Sequence, residues 1–270
     1  MRIGVSNLLW TPDRDDAVAQ LLRRLEVDAI DLAPTRYFAD PAAASAADWR
    51  RIAARWHDRG IAITGLQSLL HGADGLALFG PPDSRARLTA RLAAMLDVAV
   101  AVGAGQLVFG SWQNRRRGAL PLAAAIDAAA ELFTPLAVAA AARGVCLSIE
   151  PIFSGYGNDF LVDHDEALRL VERIDHPGFG LTLDVGCLGL AGEDVAAVLA
   201  RCASRITHVQ LAEHRLAPLS ANNRLHARAG PAISRALPGR VACIEALTPA
   251  GHSAVDAVAQ SLAVARAHYR

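Results

Sequence analysis

Residues 163–184 read DHDEALRLVERIDHPGFGLTLD, and a change of period inside them decides the fold. Up to Ile174 the apolar residues recur at Ala167, Leu170, Val171 and Ile174, the three- and four-residue spacing of one helix face. Beyond the Pro177-Gly178 break, GLTLD is short, apolar and closed by an acid, which reads as a buried strand from Gly180 to Asp184. Asp163 stands where a helix N-cap is expected. The same alternation extends to both ends of the chain. Seven more strands are expected, at Arg2 to Ser6, Ala29 to Leu32, Ile61 to Leu66, Gln106 to Phe109, Cys146 to Glu150, Thr207 to Leu211 and Val241 to Glu245. Helical patterns such as DDAVAQLLRRLE (15–26), AADWRRIAARWHDRG (46–60) and DSRARLTARLAAMLDVAVAVGA (83–104) lie between them, with Asp83 as a further N-cap and Gly60 and Gly144 as helix stops. Strand-then-helix repeated eight times means parallel strands. At 270 residues it favours one closed (β/α)8 barrel, a TIM barrel, covering residues 1–270 as a single domain. No GxGxxG follows the first strand, which counts against an open dinucleotide-binding sheet.

Composition removes several function classes. Twenty-seven basic residues balance 27 acidic ones, so no surface charge argues for nucleic acid or an anionic membrane. All 27 are arginine, and a chain without lysine performs no Schiff-base chemistry. The four cysteines form no CxxC pair, and the N-terminus runs into a strand without a leader pattern; a cytoplasmic location is expected. The Ala-rich run from Leu120 to Ala142 comes nearest to a membrane span, but Asp127, Glu131 and Pro135 interrupt it, and a buried, kinked helix is the better reading.

In a barrel of this kind, chemistry sits at the C-terminal ends of the strands. Strand five ends SIE at Glu150, strand six TLD at Asp184 and strand eight CIE at Glu245, while strand seven carries His208 and Gln210. Each acid alone is as readily a helix cap or half of an ion pair. Together they crowd three carboxylates into one space, where mutual repulsion favours protonation unless a divalent cation sits among them. Oxygen donors suit magnesium or manganese. Gln67 and Trp10 are candidates to line the mouth, and Asn114 with Arg115, Arg116 and Arg117 to grip a phosphate or carboxylate, the alternative being a solvated patch. Tyr156, Asn158, His226 and Arg228 lie in loops expected on the same face. His208 is more often a packed strand histidine than a ligand, with a substrate contact as the other reading.

The segments LSIEPIFSGYGNDF (147–160), HPGFGLTLDVG (176–186), ITHVQLAEH (206–214) and CIEAL (243–247) resemble the xylose-isomerase-like TIM-barrel superfamily, in its sugar phosphate isomerase/epimerase group. LQSLLHGADGLALFG (66–80) and VFGSWQNRRRG (108–118) carry the resemblance further. Relatives include hydroxypyruvate isomerases and ketose 3-epimerases. The resemblance implies one divalent metal ion, manganese or magnesium first, with cobalt and zinc as the other candidates. Its ligands would be Glu150, Asp184, Glu245 and, in place of the usual His, Gln210, as in hydroxypyruvate isomerases. It further implies a small polyol or sugar-like substrate, isomerised or epimerised by proton transfer through a metal-stabilised enediolate, with Glu150 and Glu245 as base and acid. Glu213, three residues after Gln210, would contact substrate or orient that ligand. Cys187 stands where relatives carry a substrate-contacting His. Relatives are often homodimers or homotetramers. Two alternatives stay open: a metal-dependent lyase, dehydratase or hydrolase on the same scaffold, and a non-catalytic binding protein with a degenerate site.

Overall fold

The computed structural model describes residues 1–269. Eight strands, β1 (Arg2–Ser6), β2 (Ala29–Leu32), β3 (Ala62–Leu66), β4 (Gln106–Phe109), β5 (Cys146–Ile149), β6 (Phe179–Asp184), β7 (Ile206–Leu211) and β8 (Val241–Ile244), close into a barrel in sequence order. Every neighbouring pair is parallel, β8 returning to β1. Among the described residues nine helices surround them: α1 (Asp15–Arg24), α2 (Ala46–His57), α3 (Pro82–Val102), α4 (Leu122–Ala142), α5 (His164–Ile174), α6 (Val185–Leu190), α7 (Val195–Cys202), α8 (Arg224–Ala236) and α9 (Ala254–His268). The chain is therefore a single-domain (β/α)8 barrel, as the alternation predicts.

Local chemistry sets most boundaries. Asp163 caps α5 by accepting from the Glu166 N–H at 2.8 Å. Asp83 does not cap α3, because Pro82 occupies the first helical position and leaves Asp83 inside the first turn. Gly60 and Gly144 follow α2 and α4 with φ of +72° and +70°, which suits chain reversal after a helix. The Ala-rich run forms α4 as one continuous helix through Pro135. It is long and apolar enough by length and composition to cross a membrane, yet Ala125, Ala129, Phe133, Ala137 and Ala140 are fully buried within the protein. Phe133 joins Phe109, edge to face, and Phe179, at a tilt, in an aromatic cluster between helix and barrel, with ring centroids 5.4 and 5.3 Å apart.

Two strands stop one residue short of the expected bounds, at Ile149 and Ile244, and the acids that follow still join the ladder. The Glu150 N–H donates to Phe109 O at 3.2 Å and the Glu245 N–H to Leu211 O at 3.0 Å. Gln67 does the same beyond β3, donating to Leu32 O at 2.8 Å. Register places Asp184 beside Gln210 and Gln210 beside Cys243. The rim residues are thus held by sheet hydrogen bonds rather than by free loops, which fixes their backbone as firmly as that of the strands.

Candidate active site at the strand ends

Glu150, Asp184, Gln210 and Glu245 line one cavity of about 250 Å³ at the C-terminal rim, with Gln67, Cys187 and Glu213. All four are buried. Oxygens of Glu150 and Asp184 and the Cys187 sulfur lie within 4.8 Å of one another. Glu245 stands outside that trio, its Oε1 accepting from Gln67 Nε2 at 2.6 Å. Asp184 caps α6, its Oδ1 accepting from the Cys187 N–H at 2.6 Å. Gly110, just past β4, makes room for Glu150: a Cβ there would stand 2.0 Å from Glu150 Oε2. The Gln210 amide is buried with neither its oxygen nor its nitrogen hydrogen-bonded to any described residue.

The electrostatics follow from that crowding. Burial raises the Glu150 carboxyl well above its ordinary range, and repulsion from Glu245 and Asp184 adds to the rise. Burial pushes Glu245 up to about 8, helped by the charges of Asp184 and Asp31. Asp184 rises to about 6, again by burial, although the Cys187 N–H bond opposes it. Burial also drives the Cys187 thiol up, followed by the nearby carboxylates, so it is no thiolate nucleophile here. A desolvated amide and three carboxyls unwilling to ionise make an oxygen-rich donor set that fits a hard divalent cation.

The structure brings together Gln67, Cys187, Glu213 and Tyr156 with the four rim residues, and keeps the other candidates apart. Trp10 is buried, donates its indole N–H to Asp15 at 2.8 Å and packs on Trp56, away from this cavity. His208 points inward one pleat below Gln210, where its Nε2 lies 2.8 Å from Asp31 Oδ2. Asn114 turns outward to donate to Leu76 O at 2.7 Å. Arg115 neither lines the cavity nor faces solvent. The turn Trp112–Arg115 carries its guanidinium inward, where it donates to Glu150 O at 2.7 Å and approaches the Phe109 ring. Burial lowers it to about 10, while the Glu150 charge holds it up. Arg116 is exposed, and Arg117 donates to Asp159 O and Leu120 O, so the three arginines form no common patch. His226 is buried against Tyr269, Asn158 ties its own loop to Ile152 O, and Arg228 lies off the cavity.

Sequence reasoning passed over Gly110, Ser68, Ser111, Trp112 and Arg215, which also line the cavity. Gly110 had a visible signal, since it follows β4 directly, where a barrel keeps its chemistry. Arg215 had none beyond its place in AEHR; it is the one cation on the cavity wall among the described residues.

The model of the xylose isomerase-like TIM barrel family matches residues 19–238. No curated protein matches the sequence. Among solved structures, the chain is similar to D-psicose 3-epimerase from Clostridium cellulolyticum H10 solved with D-tagatose, at TM-score 0.80 and 14% identity over 99% of each chain. It is similar to an L-ribulose 3-epimerase at TM-score 0.79 and 17% identity, over 99% of this chain and 95% of that one. It is also similar to 3-keto-D-glucoside 4-epimerase from E. coli, at TM-score 0.78 and 14% identity over 99% of each. At those identities the likeness is one of fold, and it extends over the whole barrel. With the family model spanning most of the chain, this protein belongs to the xylose isomerase-like TIM barrel family.

Proposed function

We propose that the chain is a divalent-metal-dependent isomerase or epimerase of a small sugar, a ketose or related hydroxy-carbonyl compound, acting by proton transfer at the carbon beside the carbonyl. The observation that carries this reading is the rim cluster: three buried carboxyls with raised pKa around a Gln210 amide that no described residue satisfies. The sugar epimerases among the structural neighbours support the substrate class. Glu150, Asp184, Gln210 and Glu245 would hold the cation, and manganese or magnesium suits three carboxylates and an amide oxygen. When bound, such an ion supplies Lewis-acid polarisation of adjacent carbonyl and hydroxyl oxygens.

The protein's own residues do the rest. Glu150 and Glu245 approach from different strands, which suits a pair of carboxyls that take and return a proton on different sides of a bound carbon. Gln67 fixes one oxygen of Glu245 and leaves the other to act. Gly110 and Arg115 fix Glu150 from the front and from its backbone side. Glu213, whose Oε1 accepts from the Ser220 N–H at 2.6 Å, presents a substrate-facing acid.

The test is exchange of the proton beside the carbonyl of ketoses in D2O, followed by NMR on metal-loaded protein, with metal content from elemental mass spectrometry. Glu150→Gln and Glu245→Gln should each slow exchange by about 10² to 10⁴. Full activity in either variant, or a protein that takes up no divalent metal, would end this reading.

A further inference from the structure

Beside the acidic cavity lies a second one, of about 410 Å³. The two share Ser68, Ser111 and Trp112 as a common wall. Beyond that wall the second cavity is polar, with His71, Asp74, Gln113 and Asn114.

The groove is built, not accidental. Its floor is the β3–α3 loop, which leaves Gln67 through Ser68 at φ +54°, a left-handed conformation costly for a residue with a side chain. The loop's far end is tied at three points: Ser84 Oγ donates to Gly75 O at 2.6 Å, Arg87 to the same oxygen at 2.8 Å, and Asn114 Nδ2 to Leu76 O at 2.7 Å. Its other side is the turn Trp112–Arg115, anchored by the buried Arg115 beneath Glu150. The Trp112 indole packs close to Gly157, where even a Cβ would stand 3.5 Å from the ring. The loop after β5 thus backs the indole.

Chemistry says what fits. The acidic cavity, at about 250 Å³, falls below the roughly 300–1,000 Å³ usual for small-molecule sites, so it suits one compact reacting unit. The adjoining groove contains one acid, one imidazole, two amides and two hydroxyls, and no arginine among the described residues lines it. An anion finds no cation cluster there. A neutral, hydroxyl-rich group finds hydrogen-bond partners beside a flat indole edge, and that pairing of apolar surface with polar contacts suits a sugar ring.

We propose that this groove is a second sugar-binding subsite, so that the substrate is a two-unit saccharide or glycoside: its keto-sugar unit enters the acidic cavity, and its second unit lies along Trp112 and Asn114 against His71 and Asp74. The assignment of substrate rests on the isomerase reading; binding in the groove does not.

Three probes separate the two claims: D-fructose, fructose 6-phosphate, and lactulose, whose galactosyl unit extends from O4 of a fructosyl unit. Saturation-transfer NMR on the magnesium-loaded protein reads which ring touches it. Both rings of lactulose should be saturated. The exposed pair His71→Ala with Asp74→Ala should lose the galactosyl signal and keep that of D-fructose. Proton exchange should favour lactulose over D-fructose by about tenfold in kcat/KM, and the double variant should erase that preference. A galactosyl ring that receives no saturation, a double variant that leaves it saturated, or fructose 6-phosphate outperforming lactulose would overturn the subsite. Galactosyl saturation without exchange in any probe would uphold the groove and sink the isomerase reading. Exchange in D-fructose without galactosyl saturation would do the reverse.

Discussion

Two carboxylate sites stand one pleat apart inside this barrel, and the chain treats them in opposite ways. In the lower one, Asp31 of β2 is fully buried, accepts from Thr64 Oγ1 at 2.8 Å and faces His208 of β7 at 2.8 Å. Gly65 leaves space for it, since a Cβ there would stand 2.7 Å from Asp31 Oδ1. Burial alone would raise the Asp31 carboxyl, but the closeness of His208 and the Thr64 hydrogen bond outweigh it and hold it below its ordinary range. In the upper site, Arg115 offsets only Glu150 and His164 only Asp184, neither outweighs burial, and all three carboxyls are raised. The lower site is balanced from within the chain; under the proposed function a cation would balance the upper one. That difference, rather than the mere presence of acids, is what supports the proposed role of the rim.

The largest expected effect tests the lower site. Asp31→Ala strands His208 in the barrel interior without its partner, and breaking a buried pair from one side costs about 3–5 kcal/mol. Denaturant unfolding in chelator measures it, with Asp184→Asn as the control that should show no comparable loss. Equal losses in both variants would erase the contrast. Next comes the cation. A ligand that binds only the folded protein adds about 2.7 kcal/mol at a hundred times its Kd. Magnesium or manganese should stabilise the wild type by that amount and Asp184→Asn far less. A midpoint that no divalent ion moves would return the upper site to an unexplained cluster.

The same comparison explains how far the sequence could be read. The eight strands were legible because period and length changed together, as between Ile174 and Gly180. The rim acids were legible because each ends an apolar run, where burial makes a charge conspicuous. Arg115 misled because three adjacent arginines look like a solvated patch, and only the turn after β4 determines which of them turns inward. Asp31 gave no signal, because its partner His208 lies across the barrel and register links them, not sequence distance. Trp112 and Ser68 belong to loops whose contacts come from packing, not period.

His226 illustrates a third way to bury a titratable group, which is to keep it uncharged. It is fully buried, with Tyr269 Oη at 2.8 Å on Nδ1, Glu213 Oε1 at 3.7 Å from Nε2, and His268 nearby. Burial lowers it to about 4 from 6.5, and the His268 charge adds to the drop. Below pH 6.5 the unfolded chain takes up this proton while the folded chain stays neutral, so the contribution is whole above 6.5 and is lost as pH falls towards 4. Between about pH 7 and pH 4.5 the wild type should lose about 2 kcal/mol more than His226→Gln, which does not titrate. Parallel pH profiles for the two proteins would show that the imidazole is protonated inside the fold.

The smallest effect is also the most diagnostic, because its sign depends on which kind of site Glu150 occupies. In cation-free protein Glu150 resists ionising in the fold but ionises freely once unfolded, so its burden is absent at low pH and grows as pH rises past the ordinary carboxyl range. Glu150→Gln removes that burden while keeping nearly the same shape beside Gly110. At about pH 8 in chelator the variant should therefore be more stable than the wild type, by about 1 kcal/mol after the cost of burying an amide. Around pH 4 the gain should vanish, and with saturating magnesium it should reverse, since the wild type gains a ligand that the variant lacks. An acid kept for structure, as Asp31 is, would instead be missed at every pH, so a loss in chelator at pH 8 would place Glu150 with the lower site and remove it from the proposed chemistry.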